Sequence, residues 1–175
     1  MFKTYTTLEE ATHEQPRVTA LLCCQENLMP LSWHMPVSKS PFRYAVAVRQ
    51  ENYTHTLLNT YGSFTLNFLP IEHYEVVNSL GKMHGNMENK LTQSKLKIAC
   101  RDKNENSVLA DSDFCYTCVV NETYENGDHT IFIADVTSIH VNEHQSHRAM
   151  LFSGRGRYAT LGEAFRAEKA TDYKY

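Results

Sequence analysis

His129 follows Asn126-Gly127-Asp128 and precedes Thr130-Ile131-Phe132, so it stands at the mouth of an apolar run just after a tight turn. A lone histidine in that place, beside apolar neighbours, is more often structural than functional. Cys115-Tyr-Thr-Cys118 has redox and metal spacing. On a strand, however, residues three apart face opposite sides, and a redox pair needs its first cysteine at a helix start. Cys23 and Cys24 are adjacent and do not complete a zinc site, so structural cysteines are expected. Glu143, His144 and His147 fall in the polar segment 142–147, which reads as a solvated loop rather than a ligand set. Lys90 and Lys95 by themselves mark a solvated helix face, and Gly154-Arg155-Gly156-Arg157 offers a weak main-chain anion nest. The chain has no dinucleotide fingerprint, no Walker sequence and no nucleophile elbow.

The most unusual stretch is Asn27-Leu-Met-Pro-Leu-Ser-Trp-His-Met-Pro-Val-Ser38. It holds the only tryptophan, Trp33, between Pro30 and Pro36 and beside the hydroxyls of Ser32 and Ser38. It is too mixed in polarity to be all core, so some of its polar groups must face water or a ligand.

The elements that position these residues are mostly strands. Residues 18–24 form an apolar, β-branched-rich run that predicts a buried strand, and residues 28–33 return as its hairpin partner. Pro36 and Pro41 are expected to frame a loop, and residues 44–48 to form the next strand. Residues 54–59 suit a short helix capped by Asn52 or Thr54 and ended by Gly62. Residues 63–69 alternate Phe64, Leu66 and Phe68 with Ser63, Thr65 and Asn67, the pattern of a half-buried strand. Pro70 opens a helix over 72–80, Gly81 and Gly85 bracket a loop, and residues 88–96 suit another short helix. Residues 97–100 read as a weak strand. Residues 114–123 and 130–141 are strands joined by a turn over 124–128, and 150–152 is a last short one.

The chain has 175 residues and a formal charge of −3, enough for one domain with a core and without pull towards nucleic acid or anionic membrane. The expected division is a tail over 1–15, a domain over 16–162 and a polar tail over 163–175. Five cysteines, no secretory start and no long apolar run point to a soluble, cytoplasmic protein. Strands outnumber helices and most are joined by short turns. The expected fold class is therefore mostly β (α+β), an antiparallel barrel with a few flanking helices.

Five pieces resemble the flavin reductase-like (flavoredoxin-type) family, in that family's order: residues 27–38; Ala45-Val-Ala-Val-Arg49 with Tyr53-Thr54; Phe64-Thr-Leu-Asn-Phe68; Gly127-Asp-His-Thr-Ile-Phe-Ile133; and Gly154-Arg-Gly-Arg-Tyr-Ala-Thr-Leu-Gly162. The resemblance implies a six-stranded antiparallel Greek-key split β-barrel, a homodimer, and FMN held without covalent linkage near the dimer interface. Carried over residue by residue, it puts Asn27 and Trp33 by the ring and ribityl chain, and Ser32, His34 and Met35 along the flavin. It puts Thr54 on the phosphate at a helix start, Asn67 on a ring edge, Lys90 near the cofactor, His129 by the flavin and hydride donor, and Tyr158 over the site. Two positions depart from the pattern. Asn52 stands where the family often has Arg or Lys, with Arg49 three residues earlier, and Asn89-Lys90-Leu91 replaces Asp-Lys-Phe. Arg49, Lys90 or a partner subunit would then meet the phosphate charge.

The function implied is an oxidoreductase that passes electrons from NADH or NADPH through flavin to free flavin, ferric iron, oxygen or a protein acceptor, with His129 as the catalytic residue. The alternative is an FMN electron carrier that never meets pyridine nucleotide. A third reading is a split barrel without flavin, haem-handling or merely structural, given the histidines.

Overall fold

The computed structural model describes residues 2, 4–7 and 15–162 apart from Glu88, Gln145 and His147. The tail expected over 1–15 lies in part, and the polar tail over 163–175 wholly, outside those residues. The strands are β1 (Arg17–Val18), β2 (Ala20–Cys24), β3 (Asn27–Leu31), β4 (His34–Lys39), β5 (Phe42–Arg49) and β6 (Ser63–Phe68). They continue with β7 (Ile98–Arg101), β8 (Ser107–Leu109), β9 (Phe114–Asn126), β10 (His129–Val141), β11 (Leu151–Phe152) and β12 (Tyr158–Ala159). Helix α1 spans Tyr53–Tyr61, α2 Tyr74–Leu80 and α3 Lys90–Ser94.

The fold is mostly β and is built on one seven-stranded antiparallel sheet in the order β3-β2-β6-β9-β10-β5-β4. The long β9–β10 hairpin is inserted between β5 and β6, which are neighbours in sequence but not in space. The two edges, β3 and β4, are joined by Ser32 and Trp33 alone. So short a link forces the edges together and rolls the sheet into a split barrel whose seam is this link. Trp33 O accepts the Ala47 N–H at 2.9 Å and ties the seam to β5.

Strand β4 corrects the expectation that Pro36 and Pro41 frame a loop. Pro36 lies in it, with a register shift between Pro36 and Ser38, and Pro30 lies in β3. Both are edge strands, where a residue without an N–H leaves no ladder bond unmade. The prolines therefore sit within the strands rather than ending them.

Strand β2 is an unbroken apolar run because both of its faces are covered. Ala20, Leu22 and Cys24 point into the barrel with Val46, Val48, Phe64, Leu66 and Phe132. Leu21 and Cys23 point outward against α2, α3 and β8 through Val77, Leu80, Leu91 and Leu109. Strand β6 is likewise buried on both faces, not half-exposed as its alternation predicted. Its polar face is covered by β8 and the turn before it: Thr65 Oγ1 donates to Ser107 O at 2.6 Å, and Asn106 Nδ2 to Ser63 Oγ at 3.0 Å.

Cys118 joins the barrel interior, while Cys115 lies on the other face of β9 near Cys23, and all five cysteines are free. Burial pushes the Cys23, Cys24 and Cys118 thiols up to about 12 and that of Cys115 higher still, so these four stay protonated and poorly nucleophilic.

The β9–β10 turn is tighter than the 124–128 expected. Asn126 pairs directly with His129, leaving Gly127 and Asp128 as a two-residue loop with Gly127 at φ 62°. No helix among the described residues is long and apolar enough to cross a membrane.

Candidate functional site

Helix α1 begins with the Tyr53-Thr54 pair and ends at Gly62, whose φ of 60° and N–H bond to Leu58 O close its last turn. Its first turn carries no acidic residue and no side-chain cap. Asn52 occupies the cap position, but its amide turns to Met29 Sδ at 3.6 Å. The positive end of the helix is therefore open, and it faces a cavity of about 700 Å³. Asn27, Met29, Pro30, Asn52, Thr54 and Lys90 are among its lining residues. Lys90 is 6 % exposed and donates Nζ to Leu80 O at 3.1 Å.

Asn27 is 6 % exposed and donates Nδ2 to Thr54 Oγ1 at 2.8 Å, while its Oδ1 is buried without a hydrogen-bond partner. Gly85 presses against it. A Cβ at Gly85 would lie 2.0 Å from Asn27 Oδ1, so this wall of the cavity requires glycine. A buried acceptor left unpaired costs about 1–3 kcal/mol, which a ligand donor would recover.

A second cavity of about 240 Å³ shares Pro30 and Gly81 with the first and adds Thr19, Ser32 and Tyr158. The buried Thr19 Oγ1 also lacks a partner. A third cavity, about 580 Å³, shares Ser32 and is lined by Trp33, His34, Met35, Tyr44 and Ile131. The three follow one another along residues 27–36 and make one trough across the seam of the barrel.

Trp33 is the aromatic wall of the third cavity. His129 stacks on it with ring centroids 4.6 Å apart and planes 22° apart, and the Arg17 guanidinium lies 5.8 Å from its centre. His129 does not line the three cavities; it reaches the trough through Trp33. Its Nδ1 lies 2.6 Å from Asp128 Oδ1. A carboxylate only accepts, so Nδ1 carries the hydrogen and Nε2 is the nitrogen left for a ligand. The same bond holds the Asp128 carboxyl below the usual carboxylate range.

His34 is held differently. Nε2 donates to Val18 O at 3.0 Å, and Nδ1 therefore accepts from Tyr44 OH at 2.9 Å. Burial lowers its pKa.

Of the residues singled out in the sequence, Asn27, Asn52, Thr54 and Lys90 meet around the first cavity, Ser32 and Tyr158 around the second, and Ser32, Trp33, His34 and Met35 around the third. Two stand apart. Arg49 pairs with Glu51 at 3.1 Å and Asp128 at 3.3 Å, outside the cavity walls. It neutralises Glu51, which does line the first cavity. Asn67 is fully buried on the far side of β6: its Oδ1 accepts from Leu109 N at 2.8 Å, and its Nδ2 lies 3.2 Å from Ser107 O and 3.0 Å from Thr65 Oγ1. Its amide is committed to the protein and does not reach the trough. Thr19, Glu51, Gly85 and Asp128 were not singled out. Asp128 could have been, as a carboxylate next to His129, and Gly85 from its place in a glycine-bracketed loop.

Residues 12–162 match the model of the flavin reductase like domain. The chain belongs to the flavin reductase-like family. An uncharacterized protein of Archaeoglobus fulgidus is 30% identical over 113 residues, 65% of this chain and 64% of that relative's length. The crystal structure of an FMN-binding protein from Thermus thermophilus with bound p-hydroxybenzaldehyde superposes with a TM-score of 0.83 at 21% identity, covering 96% of this chain and 99% of that one. The NADH:FAD oxidoreductase of Streptomyces globisporus superposes with a TM-score of 0.76 at 19% identity, covering 86% and 89%. These two likenesses establish the split-barrel fold of a flavin reductase-like protein, and the site must be argued from this chain's own residues.

Proposed function

We propose that this chain binds FMN in the trough and acts as an NAD(P)H-dependent flavin oxidoreductase. The observation that carries the reading is the first cavity. It joins an uncapped helix start, a buried ammonium and an unpartnered amide oxygen. The open end of α1 and Lys90 suit a phosphate, since free N–H groups and a positive charge converge there. The unpartnered Asn27 Oδ1 and Thr19 Oγ1 suit the hydroxyls of a ribityl chain and the polar edge of a ring. Pro30, Ser32, Trp33 and Tyr158 provide the apolar and aromatic walls that a flat ring needs.

Flavin supplies the chemistry of accepting a hydride and releasing electrons, and the protein binds, orients and tunes it. Asn27, Thr54 and Lys90 hold the polar tail. Ser32, His34 and Met35 shape the trough at the seam, with His34 locked by Val18 O and Tyr44 OH. Trp33 excludes water on one side, and His129 braces it by stacking. His129 Nε2, oriented by Asp128 at Nδ1, is the group that would hold the nicotinamide amide or stabilise negative charge on the reduced ring. Arg49 keeps Glu51 from repelling the phosphate.

The reading includes a homodimer, because edge strand β4 leaves Met35 and Val37 exposed beside the trough. It also includes a reducing, cytoplasmic setting, which suits five free cysteines. The terminal acceptor is free flavin, ferric iron, oxygen or a protein.

The test is the visible spectrum of the purified protein, followed by mixing with NADH and with NADPH in a stopped-flow instrument. Bound flavin that bleaches with either nucleotide is the expected result. Bound flavin that never bleaches leaves the carrier reading, and a colourless protein that takes up no flavin overturns both.

A further inference from the structure

A fourth cavity, about 200 Å³, lies against the trough, and six of its eight lining residues are apolar: Val18, Phe68, Leu69, Phe114, Ala149 and Met150. Phe68 and Phe114 stack with ring centroids 4.3 Å and planes 17° apart, which makes one wall flat and aromatic. Ala149 and Met150 bring a second wall, from a segment tied down along its length. Ser146 bonds Asp113, Arg148 O accepts the Ile71 N–H at 2.9 Å, Ala149 bridges to Pro70, and Met150 O accepts the Thr19 N–H at 2.8 Å. Walls held in this way do not close on the space between them. A void costs stability in proportion to its volume, because its lining loses packing partners, and an occupant would offset that cost.

Water is a poor occupant. The two polar lining residues are Thr19 and Asp113. Both Asp113 oxygens are engaged by Ser146, Oδ1 by its N–H at 2.8 Å and Oδ2 by its hydroxyl at 3.1 Å. Thr19 Oγ1 is the one polar side-chain atom of the lining that is buried without a partner. A buried water needs roughly two to four polar partners, whereas an apolar cavity stays dry and takes up apolar solutes such as xenon. The position of the cavity matters as much as its lining. Thr19 also lines the second cavity and Val18 the third, so two consecutive residues are all that separate this space from the trough. Thr19, Phe68, Leu69, Asp113 and Met150 are all buried, which screens the space from bulk solvent.

We propose that this fourth cavity is a dioxygen pocket serving the trough through Val18 and Thr19, and that dioxygen is the electron acceptor of this chain. The inference rests on the flavin reading above and chooses among its acceptors. Free flavin and ferric iron are polar or charged and a protein is far too large, whereas dioxygen is small, apolar and needs no hydrogen bond to be held. Dioxygen takes two electrons and two protons from reduced flavin in the trough, keeps its O–O bond and leaves as hydrogen peroxide. The flavin returns to its oxidised form, and NADH or NADPH supplies the next pair of electrons.

The experiment has two arms. In the first, the purified protein is pressurised with xenon, an apolar atom that probes the same space, and its methyl NMR signals are followed. Saturable shifts confined to the methyls of Val18, Leu69, Ala149 and Met150 are expected. In the second, flavin-loaded protein is reduced, then mixed with dioxygen or with ferricyanide, a charged oxidant that does not enter an apolar cavity, and reoxidation is timed by absorbance. Ala149→Leu fills the fourth cavity from a residue that lines no part of the trough. It is expected to abolish the xenon shifts and slow reoxidation by dioxygen severalfold, with flavin affinity and the ferricyanide rate unchanged. Ala149→Val adds less volume and should show the same losses in smaller degree, which keeps the test intact where leucine prevents folding. A native chain without saturable shifts, as a water-filled cavity would give, overturns the pocket. So does a variant that loses the xenon shifts and keeps its dioxygen rate, or one that slows with both oxidants equally. After any of those three results the flavin reading still stands. Failure of the native chain to bind flavin overturns that reading and the dioxygen pocket with it.

Discussion

Two buried asparagines, on β6 and β3, show how differently the two sides of this barrel use polar groups. Asn67 has both ends of its amide bonded to the protein, tying β6 to β8 and to the turn that leads into it. Asn27 is nearly as buried, yet only its Nδ2 has a partner and its oxygen has none, in a residue that lines two cavities. Burial alone does not mark a ligand site. What marks it is unused bonding capacity in a residue that lines a cavity. On the far side of β6 the side chains of Thr65, Asn67 and Asn106 are bonded within the protein, and of this group the Ser107 Oγ alone lacks a partner, with no cavity beside it. The trough is an open network.

The comparison breaks first at Asn67. Asn67→Ala strands Leu109 N and empties a packed position, for an expected stability loss of about 2–4 kcal/mol in urea unfolding. The flavin affinity of the molecules that still fold should not change. Asn27→Ala should do the reverse: a loss of about 1 kcal/mol for the bond to Thr54, with flavin affinity down by about tenfold, the worth of one or two hydrogen bonds. A flavin defect in Asn67→Ala equal to that of Asn27→Ala would show that the two sides are not distinct.

The difference between these asparagines was not legible in the sequence, for a physical reason. The alternation in 63–68 reports which residues share a face but not what covers that face. The β7–β8 hairpin and the turn before β8 come some forty residues later and convert an expected solvent side into a second interior. Pro36 misled in the same manner: a proline argues against a central strand, but nothing local says whether a strand is an edge. Where both faces of a strand are covered by apolar groups, as for β2, the run itself is the signal and the reading held. The Gly62 stop held because one left-handed residue is a local property. Asn27, Thr54 and Lys90 were brought together by family resemblance, since no spacing rule reaches from 27 to 90. The loop bracketed by Gly81 and Gly85 was legible, but the close approach of Gly85 to Asn27 exists only in three dimensions.

Lys90→Met sharpens the comparison by removing charge from the open side while keeping the stem that packs there. Charge-assisted hydrogen bonds are worth about 1.5–3 kcal/mol, so FMN affinity should fall by at least tenfold. Riboflavin, which has no phosphate, should bind the variant as it binds the native chain. If both ligands weaken together, Lys90 shapes the cavity rather than meeting the phosphate.

The smallest expected effect concerns two histidines and follows the same logic. His129 has one nitrogen taken by Asp128 and one available. His34 has both taken, by Val18 O and Tyr44 OH, and burial lowers its pKa from the ordinary value near 6.5. The unfolded chain therefore takes up a proton at His34 before the folded chain does. In the window below 6.5 the unfolded state binds more protons, so the His34 contribution is intact above that value and stability drains away as pH falls through it. Urea midpoints should decline from pH 7 towards pH 5.5 with a slope that flattens in His34→Gln, although that variant starts from lower stability. An unchanged slope in His34→Gln would mean that the ring is not locked between Val18 and Tyr44, and that the seam of the barrel has bonding capacity of its own to offer a ligand.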